Sequence, residues 1–363
     1  MKSFNHLWEQ YLTEENARIA INNMARGKKK NKEVAKILEE IDSYIPVALK
    51  NAETFVPKKH HVKEIYDGVQ HKKRTIVVPR IEEQVVHHMI VNTIAPILIK
   101  SMYEHSYASL PGGGIHGGAK TVRKWLKHDR RNTKYFLKLD VTSYFASIDR
   151  EILYEMLAKK IHDEKFLKVL RNVIATPEGT GIPLGFYTSQ WFANFYLTGL
   201  DHYIKNELRA TYYIRYMDDM VIFGSNKRKL RKILESIRVY LSKLNLTLKS
   251  NYQLARFQYT RQGKSHGKFL DFLGFRFYRD HTTLRRKIML KISRKAKRIA
   301  AKEQVTVYDA RQFFSYYSWL KHTDSYNFNK KHIEPYVSIN KLKAVLRVTK
   351  RSDADGMAKI RKC

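Results

Sequence analysis

Three carboxylates carry most of the chemical content of this 363-residue sequence. Asp218 and Asp219 are adjacent inside the run Tyr212 to Gly224, whose β-branched and aromatic residues predict a β-hairpin with the aspartates at its tip. Burying one unpaired carboxylate is costly, and like charges side by side add repulsion. A divalent cation relieves both costs, and hard, oxygen-seeking Mg²⁺ binds through one or two carboxylates plus substrate phosphates. Asp140 ends a second strand-like run that starts at Tyr135, and Asp149-Arg150-Glu151 then predicts a helix start. An aspartate at the end of a central strand can face the hairpin pair across a narrow gap. Two metal ions about 3.5–4 Å apart would then clamp the attacking and leaving oxygens of a phosphoryl transfer. Such a reaction asks the protein mainly for positioning and charge stabilisation. An exposed Asp-Asp turn is the plainer alternative, and the flanking runs and Asp140 weigh against it.

The elements that must hold these residues follow from the pattern around them. Residues 1–50 read as a basic helical extension with Arg26-Gly27-Lys28-Lys29-Lys30 as a loop. Strands are predicted at Val62–Asp67 and Arg74–Pro79, and a helix over Glu82–Ile99. The loop Pro111 to Gly118 is glycine-rich but lacks the Lys-Ser/Thr ending of a phosphate-cradling P-loop. A short basic helix at Thr121–His128 leads to the Asp140 strand, and one helix is expected over 151–172. Gly179–Ser189 reads as a loop, followed by a helix over 190–206. The hairpin leads to a basic amphipathic helix at 226–244, then two strands near 246–259 and 269–278. Helices fill the remainder. The expected fold is α+β, with an antiparallel sheet carrying helices on one face. The order suits a right-hand polymerase, with fingers and palm over 51–280, a helical thumb over 281–335 and a basic tail over 336–363, whose end at Ser352–Gly356 reads as disordered.

Composition narrows the partner. Lys and Arg total 69 against 34 Asp and Glu, a formal charge of +35, and aromatic residues make up 12%. Basic residues interleaved with Tyr and Phe suit a groove that tracks phosphates and stacks on bases. No long apolar run, signal peptide or lipidation motif points to a membrane. Cys363 is the single cysteine, which excludes a disulfide framework and a cysteine zinc site and fits a reducing cytoplasm. The pairs His60-His61 and His87-His88 lack partners at zinc spacing and are given no metal role.

In this order the motifs resemble those of reverse transcriptases over about residues 30–330. Asp140 with Phe145 resembles the first catalytic block, and Tyr216-Met217-Asp218-Asp219 the third. Gly181-Ile182-Pro183-Leu184-Gly185-Phe186-Tyr187-Thr188-Ser189-Gln190 with Asn194 resembles the second, and Phe272-Leu273-Gly274-Phe275 the primer grip. Ser318 to Tyr326 resembles the thumb of bacterial enzymes. Group II intron enzymes usually carry Gln-Gly and then Ser-Pro in the second block. Leu184-Gly185 and Ser189-Gln190 instead resemble the reverse transcriptases of diversity-generating retroelements. Those enzymes, compact and without maturase, endonuclease or RNase H domains, copy a template-repeat RNA with frequent errors opposite adenine. The resemblance implies a structured template RNA, dNTP, a cDNA product, a pentameric accessory variability protein, and a bacterial or phage-encoded cytoplasmic setting.

The resemblance also assigns roles. Asp140, Asp218 and Asp219 are expected to hold two Mg²⁺ ions, with the Val141 carbonyl as a further ligand. Phe145 is expected under the sugar, rejecting a 2′-hydroxyl by bulk, unless it is an ordinary core residue. Arg74 stands where a fingers arginine braces the triphosphate, or is a solvated strand residue beside Lys73. Leu184, Gly185, Gln190 and Asn194 are expected around the nascent base pair, although Gln190 and Asn194 could instead cap the following helix. An aliphatic Leu184 where a hydrogen-bonding Gln is usual would hold pairing geometry less firmly. Gln84 departs from the family's arginine and lacks its charge, and Lys249 is the nearest candidate for protonating pyrophosphate. Other bacterial reverse transcriptases, in phage defence or intron-like, are the alternative enzyme reading. A non-catalytic RNA-binding factor on a polymerase scaffold is the alternative outside catalysis.

Overall fold

The structure, a computed structural model, describes residues 4–66, 73–177 and 179–347. The chain forms two compact units. One runs to Gly118 and again from Arg131 to Ala255; the other is built from Ala119–Arg130 and the chain from Arg256 onward.

The first unit opens with helices α1 (Leu7–Tyr11), α2 (Glu14–Met24), α3 (Lys32–Glu39) and α4 (Ile41–Glu53). Thr13 and Asn31 start α2 and α3 by accepting backbone N–H bonds with their side chains. The expected loop at 26–30 separates these two helices. An antiparallel hairpin, β1 (His61–Tyr66) and β2 (Lys73–Val78), leads into α5 (Ile81–Ile99). Eleven residues of α5 are buried around the helix, among them Val85, Met89, Ile90 and Ile94, which makes it the central rod of this unit. Then come α6 (Ile115–His128), which belongs to the second unit from Ala119 on, and, back in the first unit, β3 (Tyr135–Leu139) and the short α7 (Tyr144–Ser147). The single helix expected over 151–172 is two: α8 (Arg150–Ala158) and α9 (Glu164–Ile174). Asp149 and Asp163 each cap a new N-terminus, and the second cap ends the continuity that periodicity had implied.

The helix expected from 190 starts three residues earlier, as α10 (Tyr187–Tyr196); Phe186 enters it without a side-chain cap, so no capping residue marks the start. It is followed by α11 (Thr198–His202) and a π-helical turn at Tyr203–Glu207. Strands β4 (Tyr212–Tyr216) and β5 (Asp219–Gly224) form the expected hairpin, and α12 (Lys227–Ser242) follows. With β6 (Gln253–Arg256) they complete a four-stranded sheet in the order β4-β5-β3-β6. The middle residues of β3, β4 and β5 are buried regardless of which face they point to. That explains why their sequences are nearly continuous apolar runs. Leu230, Ile233, Leu234, Ile237 and Leu241 form the buried stripe of α12, whose other face is basic.

Of the strand expected near 246–259 the structure keeps β6 and the first residue of β7 (Tyr259–Arg261), and the strand expected near 269–278 is two, β9 (Leu270–Phe272) and β10 (Phe275–Phe277). β8 (Lys264–His266) and β11 (Thr282–Leu284) lie outside the expected spans. In the second unit β9, β10 and β11 make a sheet ordered β11-β10-β9. Helices α13 (Arg286–Ala300), α14 (Val307–Tyr317) and α15 (Tyr326–His332) follow, with a 3₁₀ turn at Ser318–His322. Mixed helices and antiparallel sheets make the protein α+β, as expected. The tail reading at Ser352–Gly356 lies outside the described residues, as does Asp67, where the first predicted strand was to end.

Candidate active site

The sheet delivers its carboxylates to one end. Leu139 pairs with Met220, so Asp140, the next residue, comes level with Asp219 where the β4–β5 hairpin turns. Tyr216 pairs with Asp219 across a two-residue turn made by Met217 and Asp218. Met217 sits at φ +57°, a left-handed conformation that normally selects glycine or asparagine in such a turn. A methionine there stores strain, so its surroundings must hold it in place.

Arg215 does that work. Its side chain is fully buried and makes a forked ion pair with Asp201, Nε to Oδ1 at 2.7 Å and an Nη to Oδ2 at 2.6 Å. Its remaining donors reach the Met217 carbonyl at 3.0 Å, the Asn194 carbonyl at 3.1 Å and Asn194 Oδ1 at 3.3 Å. Tyr213 also donates its hydroxyl to Asp201 at 2.7 Å. Burial works against the guanidinium, but Asp201 more than offsets it and drives the Arg215 pKa further up, so the charge is fixed. The strained turn is therefore bolted to α10 and α11 through a charge that cannot titrate.

Asp218 has its pKa pushed up to about 6, by burial first and then by the neighbouring Asp140 carboxylate. Two carboxylates in mutual contact hold protons that two isolated ones would release. Lys249 Nζ reaches Asp140 Oδ2 at 2.6 Å, and Lys138 Nζ reaches Asp219 Oδ2 at 3.5 Å. Lys249 is thus placed against a metal-site candidate, and its backbone N–H also donates to the Asp140 carbonyl at 2.9 Å. Among the described residues, no three His, Cys, Asp or Glu side chains already form a metal-holding group. Asp140 and Asp218 converge, whereas Asp219 is engaged toward Lys138. The donor set is all oxygen, two facing carboxylates with a third beside them, which fits a hard divalent ion rather than zinc.

The second block of sequence packs directly against the first. Ile182 N–H donates to the Phe145 carbonyl at 2.9 Å, and Thr180 Oγ1 to the Ala146 carbonyl at 3.0 Å. Arg150 Nε holds the Gly181 carbonyl at 2.8 Å. A Cβ on Gly181 would fall 2.2 Å from the Phe145 carbonyl, so this approach requires glycine. Phe145 itself is half-buried, meets Tyr144 edge-on and packs against the edge of the hydrophobic core. Further along, Val77 N–H donates to the Leu184 carbonyl at 2.7 Å, and Gly185 lies at φ +120° with its α-carbon against the Val77 carbonyl. The loop is thereby tied to β2, which also carries the exposed Arg74. Gln190 is exposed on α10, while Asn194 is fully buried and gives its amide to the Ala108 carbonyl at 2.7 Å. Neither caps the helix, since both lie inside it.

At position 84, where the positive charge was missing, Lys28 supplies one: its Nζ donates to Gln84 Oε1. Lys28 comes from the loop before α3, so only the tertiary structure could bring it there. The residues expected to form a primer grip belong to the second unit. Leu273 and Gly274, both at positive φ (+55° and +86°), form the tight turn between β9 and β10. A Cβ on Gly274 would meet the Trp319 ring at 2.7 Å, and that ring stacks on Phe275. Arg215, Asp201 and Lys138 were not singled out from sequence. Arg215 adjoins the hairpin motif, but nothing in the sequence pairs it with Asp201.

Residues 56–277, more than half of the chain, match the family described as reverse transcriptase (RNA-dependent DNA polymerase). The retron Ec73 reverse transcriptase of Escherichia coli is 25% identical over 208 residues, covering 54% of this chain and 62% of that one. Protein YkfC of Escherichia coli strain K12 is 22% identical over 143 residues, 37% of this chain and 38% of its own. Among solved structures, apo telomerase from Candida tropicalis aligns with a TM-score of 0.49 and 14% identity, over 89% of this chain and 64% of that chain. The chain spans less than two thirds of the length of each of these relatives.

Proposed function

The chain belongs to the reverse transcriptase family, and from that premise we propose that it is an RNA-directed DNA polymerase that copies a template-repeat RNA into adenine-mutagenised cDNA, for diversification of a target gene. The observation that carries the polymerase reading is the facing Asp140–Asp218 pair at the end of the sheet, on a hairpin clamped by Arg215. Asp140, Asp218 and Asp219, with the Val141 carbonyl, would hold two Mg²⁺ ions. The chemistry the ions would supply there is a lowered pKa for a primer 3′-hydroxyl and neutralisation of the triphosphate charge. The chain's own residues supply the rest. Arg215 fixes the turn so that Asp218 keeps its position as charge develops. Lys249 and Lys138 balance the carboxylates before substrate arrives. Phe145, held against Gly181 and Ile182, presents a half-buried ring to a sugar, and Arg74 stands on β2 for a triphosphate.

The diversity-generating assignment is supported by Leu184-Gly185 and Ser189-Gln190, and it brings the structured template RNA and the pentameric accessory protein as partners, in the cytoplasm. We also assign residues 51–280 to fingers and palm and 281–335 to the thumb. No helix among the described residues is long and apolar enough to cross a membrane. A retron-like enzyme is the second reading, favoured by the retron Ec73 relative.

The deciding experiment is Mg²⁺-dependent dNTP incorporation on a defined RNA template, with the products sequenced. Errors concentrated opposite adenine support the diversity-generating reading. Faithful synthesis transfers the chain to the retron-like reading. No synthesis, with a template RNA and accessory protein supplied, rejects the polymerase. In the mutagenic case, Leu184→Gln should lower misincorporation opposite adenine; an unchanged error spectrum removes Leu184 from the explanation.

A further inference from the structure

Within the second unit, a cavity of about 380 Å³ opens between the last turns of α6 and the connection from β10 to β11. Arg123, Lys127 and Arg130 line it from the α6 side, and Arg279 from the other, with Tyr278 and His281 beside them. Two carboxylates share this wall, and both have local partners. Asp324 accepts the Thr282 N–H at 2.8 Å, and Asp280 meets His281 Nδ1 at 2.8 Å.

Two of the arginines are oriented by backbone carbonyls, and Asp324 also lies close enough to act on Arg123. Arg123 donates to the His322 carbonyl. Arg279 donates to the Leu126 carbonyl at 3.2 Å and lies over the Phe257 ring at 4.6 Å. Its backbone N–H is held by Gln258 Oε1 at 3.0 Å. Burial and then the nearby Arg130 lower the Arg279 pKa, the signature of like charges crowded into a partly dry site. Lys127 alone could be answering the negative end of the α6 dipole. Arg279 comes from a different element, and that explanation does not reach it. At the same wall Tyr278 and His281 stack at 4.3 Å with their rings nearly parallel, 8° apart. Flat rings beside convergent cations favour a nucleotide unit over a bare inorganic anion.

We propose that this cavity binds the phosphodiester backbone of an RNA strand, with Arg123, Lys127, Arg130 and Arg279 on the phosphates and the Tyr278–His281 pair beside a base. The inference rests on the polynucleotide-binding part of the function proposed above. It adds a specific place of contact, on the second unit, for the RNA.

Lys127 and Arg130 are exposed, so Lys127→Ala/Arg130→Ala keeps the packing contacts of Arg123 and Arg279. Lys227→Ala/Arg231→Ala, two equally exposed charges on α12, is the matched control for loss of general positive field. Binding of a labelled oligouridine and a labelled RNA hairpin is measured by fluorescence anisotropy across a salt series. The cavity pair should weaken binding at least about fivefold more than the control pair. It should also make the log–log salt slope shallower by about 1.4, which is 0.7 for each of two lost phosphate contacts. Equal losses in the two pairs overturn the proposal, because the cavity is then only part of the overall basic surface. Unchanged RNA affinity, with pyrophosphate binding that the cavity pair abolishes, also overturns it in favour of a free phosphate ligand. Incorporation on a pre-annealed short primer-template is followed in parallel. Its failure in the wild type rejects the polymerase reading and leaves the binding result standing.

Discussion

Asp218 is the residue whose ionisation is most tightly bound to its neighbours. Its folded pKa of about 6 lies above the ordinary 3.8, so the folded state holds a proton that the unfolded chain releases between those values. The sign follows: this group favours folding below about pH 4, and its contribution disappears as pH rises through 6. At pH 7.5 without divalent ions, burial of the charge and then its repulsion by Asp140 together cost on the order of 1–3 kcal/mol. Asp218→Asn should therefore raise the thermal midpoint at pH 7.5 and leave it nearly unchanged at about pH 3.5, below both pKa values, while abolishing dNTP incorporation. A lower midpoint at pH 7.5 would mean that the Asp140–Asp218 contact is not repulsive. Added Mg²⁺ should raise the midpoint of the wild type and much less that of Asp218→Asn, a thermal-shift readout that needs no turnover. Phe145→Ala should increase ribonucleotide incorporation relative to dNTP. An unchanged ratio would return Phe145 to a packing role. The aspartates were legible in sequence because a charge interrupting an apolar strand is conspicuous. Lys138 and Lys28 were not, because nothing local marks one lysine among so many as the partner of a distant carboxylate or amide; Lys249 stood out only through the family resemblance, for pyrophosphate and not for Asp140.

At the level of elements, the hairpin and its brace behave as one device. Tyr212–Gly224 could be read as a hairpin because adjacent aspartates interrupt two runs of β-branched and aromatic residues, and the structure forms it. The left-handed backbone of Met217 could not be read, since the residue type argues against it. Its explanation lies in Asp201 and Asn194, 14 and 21 residues from Arg215. Arg215→Met leaves Asp201 a buried, uncompensated carboxylate, a loss of about 3–5 kcal/mol that endangers folding. Arg215→Lys keeps the charge and loses the fork, so it is the more informative change. It should fold, bind primer-template with near wild-type affinity and lower kcat at least tenfold with little change in the KM for dNTP. Parallel losses in affinity and kcat would mean a general structural role instead. The helices follow the same rule of legibility. Caps at Asp149 and Asn226 lie where the sequence placed helix starts. The cap at Asp163 lay hidden inside a pattern that continued across it, and Phe186 starts a helix with no capping side chain at all.

For the whole molecule the governing quantity is charge. A formal +35 on 363 residues is a large self-repulsion, and the folded chain carries it on basic faces such as that of α12 while its apolar residues fill the interior. Composition alone pointed to a polyanion; it could not say where the polyanion would lie, because charge counts carry no direction. If RNA is that polyanion, most of the binding free energy comes from counterion release and must fall steeply with salt. For about six phosphate contacts to a single strand, affinity should drop on the order of 10²–10³-fold between 50 and 200 mM monovalent salt. A titration with labelled oligouridine checks this, with polyglutamate of matched charge as competitor. Polyglutamate offers charge without stackable rings, so it should compete poorly with RNA even at low salt if aromatic side chains contribute. Equal competition would reduce the molecule to a nonspecific anion exchanger. A flat salt dependence would instead shift the source of affinity to uncharged contacts and leave the excess of basic residues without a role in binding.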